Sequence, residues 1–386
     1  MFTNFDIPKG CCAPVAGTNK TDLLDGSEPG SIHYFFRPEA FIEIGTSTEA
    51  KFDFHADPID SNVYRNGMPA FALATIFLRR GVGFLSALLH APRSQDHDGN
   101  VVITPWLLHD ITLPQLFAFD KVLKETADRT RISIYQPKDS NDITHGTTGP
   151  YFMPEMYEPI VYQITCCPVM WQALSDPKWN TRPLHEKCTI WIMLAITLVH
   201  EIAHLVWMYA NQQDILDDYY ADGKISLPDE PKIQPYTDVA ELGFAWEQYQ
   251  FGGAIWQGKA LKFVDGKWAY CSVRDGTRGL EISQRRMMGE EKSTNAISTF
   301  STINLMRKSL WYSGHAIQLL LLPLERRQVD TGNEENTDED VKIKIEDEDD
   351  DCEAESDYGD YMRYHMLTSP GSYYPAVTTA PFCWLA

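Results

Sequence analysis

The sequence predicts an α+β fold in which strands come early and helices late. Three observations carry that prediction. Alternating apolar and polar residues recur before residue 60 and again between Arg131 and Cys167. The longest apolar run, Cys188 to Ala210, follows them and far exceeds the usual length of a strand. Beyond it, helix-like segments succeed one another without the regular strand–helix alternation of a parallel α/β sheet.

Residues 1–30 are rich in Gly, Pro, Thr and Asn and read as a flexible arm. "SIHYFFRPEAFIEIG" (31–45) and "KFDFHAD" (51–57) then alternate as strands do. Met68 to Pro92 reads as a helix broken near Gly81 and Gly83. A second helix, "TLPQLFAFDKVLKETADRT" (112–130), leads into a strand from Arg131 to Pro137. The polar stretch "KDSNDITHGTTGP" (138–150) reads as a loop. "EPIVYQITCC" (Glu158 to Cys167) is a strand rich in β-branched and aromatic residues. The long helix spans His185 to Asn211. A polar connection then leads to "DVAELGFAWEQYQ" (238–250), a helix that stops at Gly252-Gly253. "KALKFVDGKWAYCSV" (259–273) reads as a hairpin turning at Asp265-Gly266. Residues 295–324 read as helical. One domain is expected over 31–327, followed by an acidic disordered segment over 328–360 and a tail, 361–386, that regains aromatics and docks back.

The net charge of −21 argues against binding to nucleic acid or to an anionic membrane surface. That charge is uneven. Asp330 to Asp357 holds 15 acidic and 2 basic residues, which leaves −8 for the rest. The N-terminus lacks a basic stretch followed by an apolar one, so no secretory signal is expected. The eight cysteines include the pairs Cys11-Cys12 and Cys166-Cys167 but no CxxC. Together these point to an intracellular, reducing location, cytoplasmic or nuclear. The run from Cys188 to Ala210 is long enough to span a membrane, but His200, Glu201 and His204 inside it favour a buried core helix.

Those three residues form His200-Glu201-Ile202-Ala203-His204, an HExxH motif. Residues four apart on a helix differ by about 40° around its axis, so His200 and His204 share a face and both imidazoles can reach one Zn2+ ion per chain. Zinc lowers the pKa of water towards about 7, and Glu201 can take the proton, giving a nucleophile for a peptide or amide carbonyl. A catalytic zinc takes three protein ligands. The extended form HExxHxxGxxH is excluded because Trp207 and Ala210 stand where it needs glycine and histidine. Glu241 and Glu247 follow His204 by 37 and 43 residues. They lie about 240° apart on a helix, so both cannot face the metal. Glu241 is favoured by its apolar neighbours and by Gly243, which permits close helix approach. Glu247 is the alternative ligand, and His315 a more distant one. Asp238-x-x-Glu241 also fits a helix-capping pattern.

HExxH with a glutamate from the next helix resembles the gluzincin branch of the zincin metallopeptidases, over about residues 185–253. "AELGFAWEQYQFGG" is also similar to segments of uncharacterised fungal zincin-like proteins. The resemblance implies a zincin-like fold, a mixed sheet before the HExxH helix and a mostly helical C-terminal part. It implies His200, His204 and Glu241 as zinc ligands and Glu201 as general base. It also implies a sheet edge strand that binds an extended peptide or protein substrate, for which "EPIVYQITCC" is the candidate by chain order. Ala245 stands where some gluzincins carry an acid. Tyr249, His315 and Tyr312 are the candidates for stabilising a transition state. The alternative is a catalytically silent zincin-fold binding or regulatory protein that uses its acidic arm. In that arm Ile343-Lys344-Ile345-Glu346 matches a SUMO acceptor centred on Lys344. Val341 to Asp351 resembles a SUMO-interacting strand, and Thr337 precedes three acids as phosphorylation sites do.

Overall fold

The computed structural model describes residues 22–42, 54–106, 111–134, 146–234, 240–257 and 303–312, apart from a few single positions, together with the strand backbones between 261 and 296. The acidic segment 328–360, the tail 361–386, His315, Lys344 and Thr337 lie outside the described residues.

Where strands are expected over 31–45, two 3-10 turns, Tyr34–Phe36 and Pro38–Ala40, precede a short strand, β1 (Phe41–Ile42), and 43–45 lie outside the described residues. Pro38 has no N–H for a ladder, and the His33 ring accepts from the Phe35 amide to start the first turn. The end of the expected loose arm is packed: Leu24 is buried and its amide donates to the Met306 carbonyl. Asp60 caps helix α1 (Ser61–Arg80) by accepting from the Asn62 and Val63 amides. The chain then bends by 57° into α2 (Val82–His90), at the Gly81 break. A short hairpin follows, β2 (Ser94–Gln95) and β3 (Val101–Ile103). Helix α3 (Leu113–Asp128) opens with a reciprocal cap between Thr112 and Gln115. It leads into β4 (Thr130–Ile134).

The end of the expected polar loop is a strand, β5 (Gly146–Phe152), antiparallel to β6 (Ile160–Cys166). The four-stranded sheet runs β1-β4-β6-β5, with β1, β4 and β6 parallel. So β6, the strand within "EPIVYQITCC", is interior and almost wholly buried, and the edge belongs to β5. Pro150 within β5 obscures the strand in sequence but is tolerated on an edge, where the ladder makes fewer demands on amides.

After α4 (Pro168–Ser175), helix α5 (Leu184–Ala210) runs through the centre, packed on α1, α2, β5 and β6. It is apolar nearly all round, as a helix enclosed on all sides must be. It is long and apolar enough to cross a membrane, but 89% of its most apolar window is buried in the fold. The expected polar connection contains α6 (Gln212–Asp222), closed by Gly223 at φ +74°, and a short strand, β7 (Lys232–Ile233), parallel to β3. Helix α7 (Leu242–Phe251) packs along α5 and feeds β8 (Ala254–Gln257). The strands β9 (Leu261–Val264) and β10 (Lys267–Tyr270) pair antiparallel across Asp265-Gly266, in the register of the expected hairpin. Part of the expected 295–324 helix is otherwise. After β11 (Leu280–Gln284), β12 (Ser293–Ala296) is an antiparallel strand, and α8 (Lys308–Tyr312) is one short turn. The described residues form an α+β fold, with a four-stranded mixed sheet, a smaller mixed sheet of β2, β3 and β7, and a helical core.

Candidate metal centre

His200 and His204 project from the same side of α5, one turn apart, with ring centroids 5.2 Å apart. Facing them is Glu241, immediately before α7. Its Oε1 lies 3.2 Å from His200 Nε2 and 2.9 Å from His204 Nε2. Its Oε2 accepts from the Phe244 amide, so the side chain is held as the cap of α7. Asp238, the other residue of the expected capping pattern, lies outside the described residues. One ligand atom from each of His200, His204 and Glu241 lies within 4.8 Å of the others.

Glu247 does not join them. Its Oε1 takes the far nitrogen of His200, Nδ1, at 2.8 Å, and its Oε2 accepts from the Ile255 amide at 2.8 Å. His204 has the matching arrangement, because its Nδ1 is hydrogen-bonded to Glu230 Oε1. Glu230 Oε2 in turn accepts from the Leu242 amide at 2.9 Å, at the positive end of α7. Each imidazole therefore directs Nε2 at Glu241 and has its other nitrogen fixed by a carboxylate, the usual support of a metal-binding histidine.

Two long-range features bring Glu230 here. The parallel pairing of β7 with β3 anchors the segment, reinforced by Lys232 Nζ on Asp96 at 2.8 Å. Trp207 Nε1 also donates to the Asp229 carbonyl at 3.1 Å. Glu230 carries no periodicity in sequence, and its Pro-flanked setting reads as a loop. A cleft of about 630 Å³ opens alongside, lined among others by Asp98, Asn100, Leu227, Glu230 and Ala240.

Gly243 sits against the His200 ring. A Cβ there would lie 2.1–2.3 Å from three ring atoms, so only glycine lets the imidazole lie across α7. Glu201 lies about 100° round α5 from His200 and meets the sheet edge at β5. It is 4% exposed, and Thr148 Oγ1 lies 2.7 Å from its Oε2 and 3.1 Å from its carbonyl oxygen. Tyr249 is turned away from the cluster, with its ring on Phe84 and its hydroxyl beside Gly83. Tyr312 ends α8, and its side chain lies outside the described residues.

The electrostatics require compensating positive charge. Glu230, Glu241 and Glu247 surround two imidazoles in a partly buried site, where uncompensated anions are costly. Burial alone would favour neutral imidazoles, but Glu241 and Glu247 outweigh it and hold the His200 pKa well above its usual value. His204 rises to about 10 by the same balance, with Glu230 and Glu241 as the partners. For Glu241, burial favours the acid form, but the two imidazoliums prevail and depress its pKa. For Glu247, burial prevails over His200 and the pKa rises. Two protons on the histidines, or one divalent cation, would meet the demand.

The metal-free protein should therefore lose stability on both sides of a window. The raised His204 pKa supplies stabilisation that is complete below about 6.5 and lost as pH rises through about 10. The depressed Glu241 pKa supplies stabilisation present above about 4.5 and lost as pH falls. With chelator, the unfolding free energy should fall from pH 7 to 10, by up to about 1.4 kcal/mol per pH unit for one titrating group, and calorimetric midpoints should fall with it. With zinc the alkaline decline should shrink, because a metal binds the neutral imidazole. A flat chelated profile would contradict the charge assignment.

No family model, curated protein or solved structure matches this chain, so the reading of the site rests on its own geometry.

Proposed function

We propose that the protein is a zinc-dependent hydrolase of peptide or amide bonds with a zincin-like fold. The convergence of His200 Nε2, His204 Nε2 and Glu241 Oε1 carries the reading. The donor set, two imidazole nitrogens and one carboxylate oxygen, suits zinc with a fourth position open. When bound, the ion supplies Lewis-acid polarisation of a carbonyl and makes water more acidic. Glu201, next to His200 in the chain, accepts the proton of the attacking water and returns it to the leaving amine. Glu230 and Glu247 keep the ligand rings in one orientation and make them more basic. Among the described residues β5 has no partner on its outer side, and an extended peptide can pair there beside Glu201. The gluzincin relationship, with Glu241 as the third ligand, remains part of this proposal.

The test is a broad peptide library incubated with zinc-loaded wild type and with Glu201→Gln. Wild type should cleave. The variant should keep its zinc and lose activity by two to four orders of magnitude, the usual weight of a positioned general base. Full zinc occupancy with no cleavage in wild type would overturn the hydrolase assignment.

A second reading, a metal-free ion-pair cluster in a binding protein, is favoured by one observation. All four ring nitrogens already face carboxylate oxygens. It predicts no zinc after dialysis and no response to chelator.

A further inference from the structure

We infer that Thr148, on the edge strand of the sheet, is a positioning residue that holds Glu201 in its proton-accepting pose. The inference rests on the reading of Glu201 as proton acceptor.

Gly146 and Thr148 are two apart on β5 and so share one face of the strand. That face lies on α5, and both residues meet Glu201 there. Thr148 has a single hydroxyl proton. Of its two acceptors, the Glu201 carboxylate oxygen Oε2 is nearer, 2.7 Å against 3.1 Å for the carbonyl, so the proton belongs to Oε2. Among the described residues no other donor reaches this carboxylate. The second oxygen is placed by sterics. A Cβ at Gly146 would lie 2.6 Å from Oε1 and 2.9 Å from Cγ of Glu201. The bare backbone of Gly146 therefore makes the space that Oε1 occupies.

The consequence is a division of labour between the two oxygens. Oε2 is committed to Thr148, and Oε1 keeps its lone pairs for a proton from another molecule. Without the hydroxyl, the glutamate could adopt other rotamers, and a nearly buried carboxylate would lose its hydrogen bond. Thr148 would then support Glu201 much as Glu230 and Glu247 support the histidines, but from the sheet instead of from the helical side.

The experiment uses full-length protein loaded with cobalt(II), whose visible absorption reports the metal's surroundings. The probe is acetohydroxamate, a bidentate metal chelator whose hydroxyl proton needs a carboxylate acceptor beside the ion. Wild type, Glu201→Gln, Thr148→Val, Thr148→Ala and Thr148→Ser are titrated, together with the double variant T148V/E201Q. Cobalt content and thermal midpoint are recorded for each, and Thr148→Ala covers the case in which valine does not fit. Thr148→Val or Thr148→Ala should weaken hydroxamate about tenfold, the order of one charge-assisted hydrogen bond, with cobalt content unchanged. Thr148→Ser should restore binding, and T148V should add less than about twofold in the E201Q background. If E201Q weakens the probe and the Thr148 variants do not, or if the two effects add, the positioning role is wrong and the functional proposal stands. If wild type takes up no cobalt, or E201Q binds the probe as wild type does, the functional proposal falls and this inference with it.

Discussion

Glu241→Ala should reduce zinc from about one ion per chain to nearly none after dialysis against buffer. Among the described residues, Glu241 supplies the only carboxylate oxygen that faces Nε2 of both histidines, at 3.2 and 2.9 Å. Removing a direct ligand should cost more than the roughly 10–100-fold in affinity that an outer partner contributes. Glu247→Ala provides the contrast. It takes away the support at His200 Nδ1 but no ligand atom, so zinc should bind more weakly yet remain measurable at micromolar free metal. Elemental analysis of the two variants beside wild type reads the difference. Equal loss in both would mean that the glutamates act as one ion-pair cluster, and retention of zinc in Glu241→Ala would remove it from the ligand set. Stability should move as well. Glu241 also caps α7 through the Phe244 amide, and losing a cap costs about 0.5–2 kcal/mol with or without metal.

Gly243→Ala should be the most damaging alanine substitution among the described glycines. The added Cβ would lie 2.1–2.3 Å from three atoms of the His200 ring, far inside the 3.5–4.0 Å of a good carbon contact. The ring cannot easily turn aside, because Glu241 and Glu247 hold its two nitrogens. Nor can α7 easily retreat, since its Leu242, Ala245 and Trp246 are fully buried, Trp246 against Phe77 and Phe251. Overpacking of this kind typically costs about 1–3 kcal/mol, and a site held on both sides belongs at or above the upper end. The thermal midpoint should fall by several degrees even in chelator, and zinc should be lost because His200 and Glu241 no longer converge. Gly149→Ala is the control, as a Cβ there meets nothing within 4 Å. A Gly243→Ala protein with the wild-type midpoint and full zinc would mean that α7 does not pack against His200 as described.

The features the sequence determined by itself are local ones. His200 and His204 share a face because they are four apart on a helix, and the apolar residues around them guarantee that the helix is central. The Thr112–Gln115 cap and the β9–β10 register also follow from short spacings, as does the break between α1 and α2 at Gly81. Where local pattern misled, a tertiary contact prevailed. The stretch 31–40 looked like strand until Pro38 and His33 turned it, and "GTTGP" (146–150) looked like loop until pairing with β6 extended it. Chain order suggested β6 as the sheet edge, yet edge status depends on which strands lie on each side, and β5 lies outside it.

The rest of the candidate site was decided only by the tertiary structure. The local rule that Glu241 and Glu247 cannot face one metal holds, but it could not say that Glu247 would take the far nitrogen of the same histidine. Glu230 reaches His204 because β7 pairs with β3, about 130 residues earlier in the chain. Thr148 reaches Glu201 because a strand crosses a helix 53 residues away in sequence. Such contacts have no periodicity to be read. Each depends on the packing of two elements whose local sequences are indifferent to one another, so ligand spacing is written in one helix while the partners that orient the ligands come from the fold.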